Sequence, residues 1–88
     1  MIEKEILSST DSIYNYKSED GKTTLGYLEI RLVDGVVDIM SLFVNEEVRR
    51  QGIATSLMEH MLNNEEYSRI MLEVNENNDS AIRLYNKL

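Results

Sequence analysis

Between Val44 and Gly52 the spacing of the apolar residues changes, and that change limits the folds open to this chain. Before it, over Thr23–Val33, Leu28, Ile30 and Leu32 alternate with Tyr27, Glu29 and Arg31. Period two marks a half-buried antiparallel strand. After it, Ala54, Leu57, Met58, Met61 and Leu62 recur at helical intervals, one stripe of an amphipathic helix that Asn63-Asn64 closes. Sheet and helix therefore come from separate stretches and must bury their apolar faces against one another.

The flanking segments extend this pattern. Ser12–Lys17, with Ile13, Tyr14 and Tyr16, reads as a short strand, and Asp20-Gly21 and Asp34-Gly35 are turn signals. In Val36–Val44 the apolar residues Ile39, Met40, Leu42, Phe43 and Val44 fall on both faces, as expected of a central strand. Arg69–Val74 returns as a strand, Ile70, Leu72 and Val74 opposing Met71 and Glu73. Asn77-Asn78-Asp79-Ser80 is rich in helix-capping side chains, and Ala81, Ile82, Leu84, Tyr85 and Leu88 form a last helical stripe. The predicted class is α+β (α/β): an antiparallel three-stranded meander followed by helix, strand and helix, with at least one strand–helix–strand crossover.

Composition narrows the chemistry. With 88 residues the chain forms one domain, and without cysteine it has neither a disulfide framework nor a thiolate metal site. His60 is the only imidazole, so no metal is expected; it falls off the apolar stripe and is expected at the surface. Sixteen acidic residues against nine basic ones give a net charge of -7. That surface repels phosphate backbones, so no nucleic-acid partner is expected; it suits a basic peptide or protein, or serves solubility alone. No apolar run approaches the ~20 residues needed to cross a bilayer, and the N-terminus lacks a signal-peptide pattern. The expectation is a cytoplasmic protein with no membrane partner.

The most informative stretch is the polar loop from Val44 into the helix. First-turn amides lack intrahelical acceptors, and the helix dipole places partial positive charge there. The two together suit a phosphate. Gly52 and Ala54 lack bulk, and Arg49 and Arg50 add positive charge where Glu46 and Glu47 precede them. The residues alone leave a second reading open, a chain reversal with two solvated arginines.

The run Arg49-Arg50-Gln51-Gly52-Ile53-Ala54 resembles the acetyl-CoA signature of the GNAT acetyltransferase superfamily, Arg/Gln-x-x-Gly-x-Gly/Ala, at every specified position. Further on, Leu72-Glu-Val, Asn78-x-x-Ala81 and Leu84-Tyr85 are similar to a second motif of that superfamily, in the version of the ribosomal-protein alanine N-acetyltransferases, the RimI-like branch. The resemblance covers about Ser12 to Leu88.

It implies an N-acetyltransferase that passes an acetyl group from acetyl-CoA to an amine, in the RimI-like branch a protein N-terminal α-amine, by direct attack in a ternary complex. The resemblance puts the diphosphate of acetyl-CoA on the amides of Arg50–Thr55 (Arg50, Gln51, Gly52, Ile53, Ala54 and Thr55). It puts the pantetheine arm beside Leu42, Phe43 and Val44, where a backbone N–H near Phe43 or Val44 would steady the oxyanion. This requires Val36–Val44 to splay from Arg69–Val74. Asn78 would contact the cofactor arm, Glu73 would act as general base, and Tyr85, twelve positions later, would protonate the thiolate. Each has a plainer alternative: a strand glutamate, a helix cap, a packed tyrosine.

Against the family's pattern the domain is expected to be shortened at both ends, with Met1–Asp11 too brief for the usual leading strand and helices. Two outcomes are compatible with that: a homodimer that completes the sheet by edge pairing, or a non-catalytic CoA-binding or protein-interaction module.

Overall fold

The computed structural model describes residues 1–72. Five strands form one sheet in the order β1 (Ile2–Ile6), β2 (Asp11–Lys17), β3 (Thr24–Val33), β4 (Val36–Val44) and β5 (Arg69–Leu72). The first four are antiparallel neighbours, and β5 lies parallel to β4. Between β4 and β5 the chain crosses over through a short 3-10 turn (Glu46–Val48) and a helix, α1 (Ile53–Asn64). A parallel pair needs such a crossover, because no tight turn can return the chain to the same end of the sheet.

Strand β1 corrects the sequence reading, which placed no strand before Ser12. The meander has four strands. In Ile2–Ile6 only Ile2 is even half-buried, so the segment carries almost no burial pattern to read. It is specified by pairing, from Ile2 opposite Tyr16 to Ile6 opposite Ser12. Within residues 1–72 the other boundaries match closely; the end of the expected strand Arg69–Val74 and the last helical stripe, from Ala81 to Leu88, lie outside the described residues. Asp34 and Gly35 have φ of 51° and 78°, the positive pair that a two-residue hairpin between β3 and β4 demands.

The core lies between the sheet and α1. Tyr14, Leu28, Ile30, Val37 and Ile39 face Ile53, Leu57, Met58 and Met61, all buried. Burying a large apolar side chain contributes about 1.5–3 kcal/mol, so this one layer carries most of the fold's stability. Two polar side chains join it at one corner. The Tyr14 hydroxyl donates to the Glu65 carboxylate, and Lys4 Nζ donates to the same carboxylate at 2.7 Å. The ring of His60 meets Tyr14 edge-on at 5.6 Å. His60 is thus half-buried against the core rather than free at the surface.

Candidate functional site

Strand β4 changes phase midway. Ile30 pairs with Ile39 but Glu29 pairs with Ser41, so Met40 is an extra residue, a β-bulge. Before the bulge Val37 and Ile39 point to the helix; after it Leu42 and Val44 share the face of Leu28 and Gly26, opposite which they pair. Phe43 is turned to the other face, where it stacks on Tyr27 with ring centroids 5.6 Å apart. The apolar residues on both faces of β4 thus reflect a bulged strand with two phases rather than a strand buried on two faces.

The bulge falls where the pairing with β5 reaches its last described residue. That ladder runs from Val36 opposite Arg69 to Ile39 opposite Leu72. Among the described residues nothing pairs with Met40–Val44 on that flank. Three contacts fix which main-chain groups face it. The Asn45 N–H donates to Leu25 C=O at 2.8 Å. The Phe43 carbonyl lies against Gly26 on β3. The Val44 carbonyl, in contrast, accepts from Arg49 Nε at 3.1 Å. Alternation along an antiparallel strand then directs the N–H of Phe43 to β3 and turns those of Leu42 and Val44 to the opposite flank, the side of β5. The residues that would follow Leu72 there, with the expected splay of Arg69–Val74 from β4, lie outside the described residues. Of the two amides named with the oxyanion, that of Val44 faces away from β3 and that of Phe43 faces it.

After β4 the chain folds into the 3-10 turn, capped by Asn45 Oδ1 accepting from Glu47 N–H at 3.3 Å. Arg50 follows at φ 68° and Gly52 at φ 80°. The left-handed region is costly for a residue with a Cβ and free for glycine, which explains the glycine at position 52. Among the described residues a Cβ built there would meet nothing within 4 Å, so the space beside Gly52 is clear of them. The first bond of α1 runs from Ser56 N–H to Gly52 C=O at 2.9 Å. The amides of Ile53, Ala54 and Thr55 precede it, and no side chain caps them. Uncapped amides, the dipole and open space together fit a diphosphate.

The candidate residues are not equivalent. Ile53 is buried in the core and can offer only its backbone; Leu42 and Val44 likewise pack inward. Arg49 is exposed but its Nε is spent on Val44, tying the loop to the end of β4. Arg50 and Gln51 are exposed beside Gly52, and Ala54 and Thr55 are half-buried. Glu73, Asn78 and Tyr85 lie outside the described residues. Among the described residues no cluster of His, Cys, Asp or Glu could hold a metal ion. None of the helices described is long and apolar enough to cross a membrane.

One positioning residue escaped the sequence reading. Gly26 lies opposite Val44, and a Cβ there would come 2.8 Å from the Phe43 carbonyl and 3.2 Å from Ile53 Cγ2. Its bareness lets the first residue of α1 settle on the sheet. A glycine inside an alternating strand is the signal that could have found it.

Comparison with known proteins decides what this frame is. A family model described as acetyltransferase (GNAT) family matches residues 3–88. The chain belongs to the acetyltransferase (GNAT) family. Solved structures agree on the GNAT fold. An aminoglycoside acetyltransferase from an uncultured soil metagenomic sample superposes with a TM-score of 0.81 at 23% identity, covering 92% of this chain and 59% of the other. The ribosomal-protein-S18-alanine N-acetyltransferase of Escherichia coli gives 0.79 at 19% identity, covering 91% and 52%. A ribosomal-protein-alanine N-acetyltransferase from Brucella melitensis gives 0.80 at 14%, covering 92% and 62%. This GNAT chain therefore spans between half and two thirds of the length of these relatives. No curated protein matches it.

Proposed function

We propose that the chain binds acetyl-CoA and transfers its acetyl group to an amine, with a protein N-terminal α-amine as the favoured acceptor. The observation that carries this reading is the continuity of two features. The flank of β4 turned away from β3 after the Met40 bulge, where no described residue pairs with it, leads through a loop pinned by Arg49 to the uncapped amides behind Gly52. A diphosphate on the amides of Ile53–Thr55, with Arg50 alongside, would let an extended thioester arm lie along Leu42–Val44. The Val44 N–H, turned away from β3, would then donate to the developing oxyanion. One such donor is worth about 2.7–4 kcal/mol where this has been tested.

The reaction itself balances simply. The neutral amine nitrogen bonds to the thioester carbonyl carbon, the carbon–sulfur bond breaks, the amine loses a proton and the thiolate gains one. For an α-amine of pKa near 8, a carboxylate acting through water is a competent acceptor. Glu73 is the proposed base and Tyr85 the proposed acid, on residue type and spacing alone; Asn78 is proposed to contact the arm. The E. coli and Brucella relatives, named for acetylating ribosomal-protein alanine, support an N-terminal acceptor. The soil relative, named for acetylating aminoglycosides, makes a small amine the competing one.

The test is thiol release from acetyl-CoA with a panel of unblocked peptides and aminoglycosides. Release with peptides that fades in Glu73→Gln and Tyr85→Phe supports the proposal. CoA binding without release from any acceptor would replace it with a CoA-binding module.

A further inference from the structure

The face of the sheet away from α1 carries a group of side chains that the acetyl-transfer reading does not use. Tyr27 pairs with Phe43 across β3 and β4, and the next outward pair along the same strands is Glu29 with Ser41. Four outward side chains thus form a block directly beside the Met40 bulge. The two rings are stacked at an interplanar angle of 28°, and Phe43 is 47% exposed, so its free ring surface faces solvent. Glu29 is half-buried. Arg31, two positions along the strand, feels the Glu29 charge but spends its hydrogen bonds on Asp11, with Nε at 2.8 Å and Nη2 at 3.1 Å. Among the described residues Glu29 has neither an ion pair nor a side-chain hydrogen bond.

An aromatic face beside a carboxylate without a hydrogen-bonded partner among the described residues attracts one kind of ligand strongly: an organic cation. The ring quadrupole and the carboxylate act on the same charge, and a planar guanidinium can lie on the ring while its N–H groups reach the carboxylate. The excess of acidic residues over the whole chain favours the same sign of partner. The block also stands on β4 itself, on the opposite face from Leu42 and Val44. A molecule seated there adjoins the strand along which the thioester is proposed to lie.

We infer that Tyr27, Phe43, Glu29 and Ser41 form a subsite for a cationic side chain of the acceptor, so that the preferred acceptor is a basic peptide with arginine or lysine close to its free N-terminus. The inference rests on the acetyl-transfer reading for its biological meaning, but the subsite can be tested without it. Ser41, opposite Glu29 in the register, contributes a hydroxyl, and the rings supply the flat surface. Glu29 sets the charge preference.

The experiment uses the full chain and two fluorescent hexapeptides with free N-termini, identical except for arginine or alanine at positions two and three. Binding is followed by anisotropy at low ionic strength, with and without CoA. Discrimination of about tenfold for the arginine peptide is expected, falling to within about twofold in Glu29→Gln and partly restored in Glu29→Asp. Tyr27→Leu should weaken the arginine peptide by about fivefold. Glu66→Gln, an equal loss of charge on the exposed segment after α1, should leave discrimination intact. Equal binding of the two peptides, or discrimination that survives Glu29→Gln, overturns the inference. Absence of a thermal shift with CoA would sink the acetyl-transfer proposal alone, because the peptide measurement is made on the free chain as well.

Discussion

Gly26 and Ile53 are packed so closely that a single added methyl group on the glycine would lie 3.2 Å from Ile53 Cγ2. The same methyl would lie 2.8 Å from the Phe43 carbonyl, which belongs to the backbone and cannot swing away. This contact sets the height of the α1 N-terminus above the end of β4. Gly26→Ala should therefore destabilise the fold by about 1–3 kcal/mol, the usual penalty for overpacking. Urea unfolding measures the loss. CoA affinity, measured where the variant is still folded, should fall as well, because the first-turn amides would be displaced.

At Gly52 the cost of substitution comes from the backbone alone, since nothing lies within 4 Å of an added Cβ and φ is 80°. Gly52→Ala should lose about 1–2 kcal/mol of stability, and Gly52→Asn less, because asparagine tolerates the left-handed region. Arg50 already occupies that region at φ 68°. Arg50→Gly should leave stability unchanged or raised while weakening CoA, which separates the charge of Arg50 from its strain. Paired unfolding curves and CoA titrations check the two variants.

Arg49→Ala removes the hydrogen bond to the Val44 carbonyl. A single exposed hydrogen bond is worth about 0.5–1.5 kcal/mol, so global stability should change little. Local order should change more. Amide exchange in residues 45–52 should accelerate relative to wild type while that of the α1 core does not, and Arg49→Lys should restore protection only in part, because an ammonium lacks the fixed fork.

The corner formed by Lys4, Tyr14 and Glu65 bounds stability on two sides of the pH scale. Burial pushes the Glu65 carboxyl up, but the hydrogen bonds from Lys4 and Tyr14 and the lysine charge outweigh it and hold it below its ordinary 4.5. A depressed carboxyl stabilises the fold above its unfolded value and loses that contribution as pH falls through the folded one. Tyr14 is shifted the other way, by burial first and then by its bond to Glu65. Its contribution is complete below the ordinary 10.0 and is lost as pH rises beyond it. Glu65→Gln should flatten the acid limb of a stability–pH curve and Tyr14→Phe the alkaline limb. Unfolding midpoints across the pH range provide the check.

These residues also show how far the sequence could be read. The alternation of Thr24–Val33 and the stripe of α1 were legible because each element buries one face, and burial leaves a period. β1 was not, because an edge strand with Glu3, Lys4 and Glu5 exposed needs no period. The Met40 bulge was hidden by hydrophobicity on both its sides. The partnership of Tyr14 with Glu65 spans 51 residues, and no local pattern can announce it. In the candidate site, the loop was legible because its chemistry depends on residue types that stand together: two arginines and a glycine. Gly26 and the direction of the Val44 amide depend on register, which appears only when β3 and β4 are paired.

The account stands or falls on where CoA meets the backbone. Amide chemical shifts of the isotope-labelled chain, followed during a CoA titration, address this directly. The largest changes are predicted at Gln51–Thr55, followed by Leu42 and Val44, with Phe43 moving less than its two neighbours. Changes confined to other surfaces, or none at millimolar CoA, would contradict it.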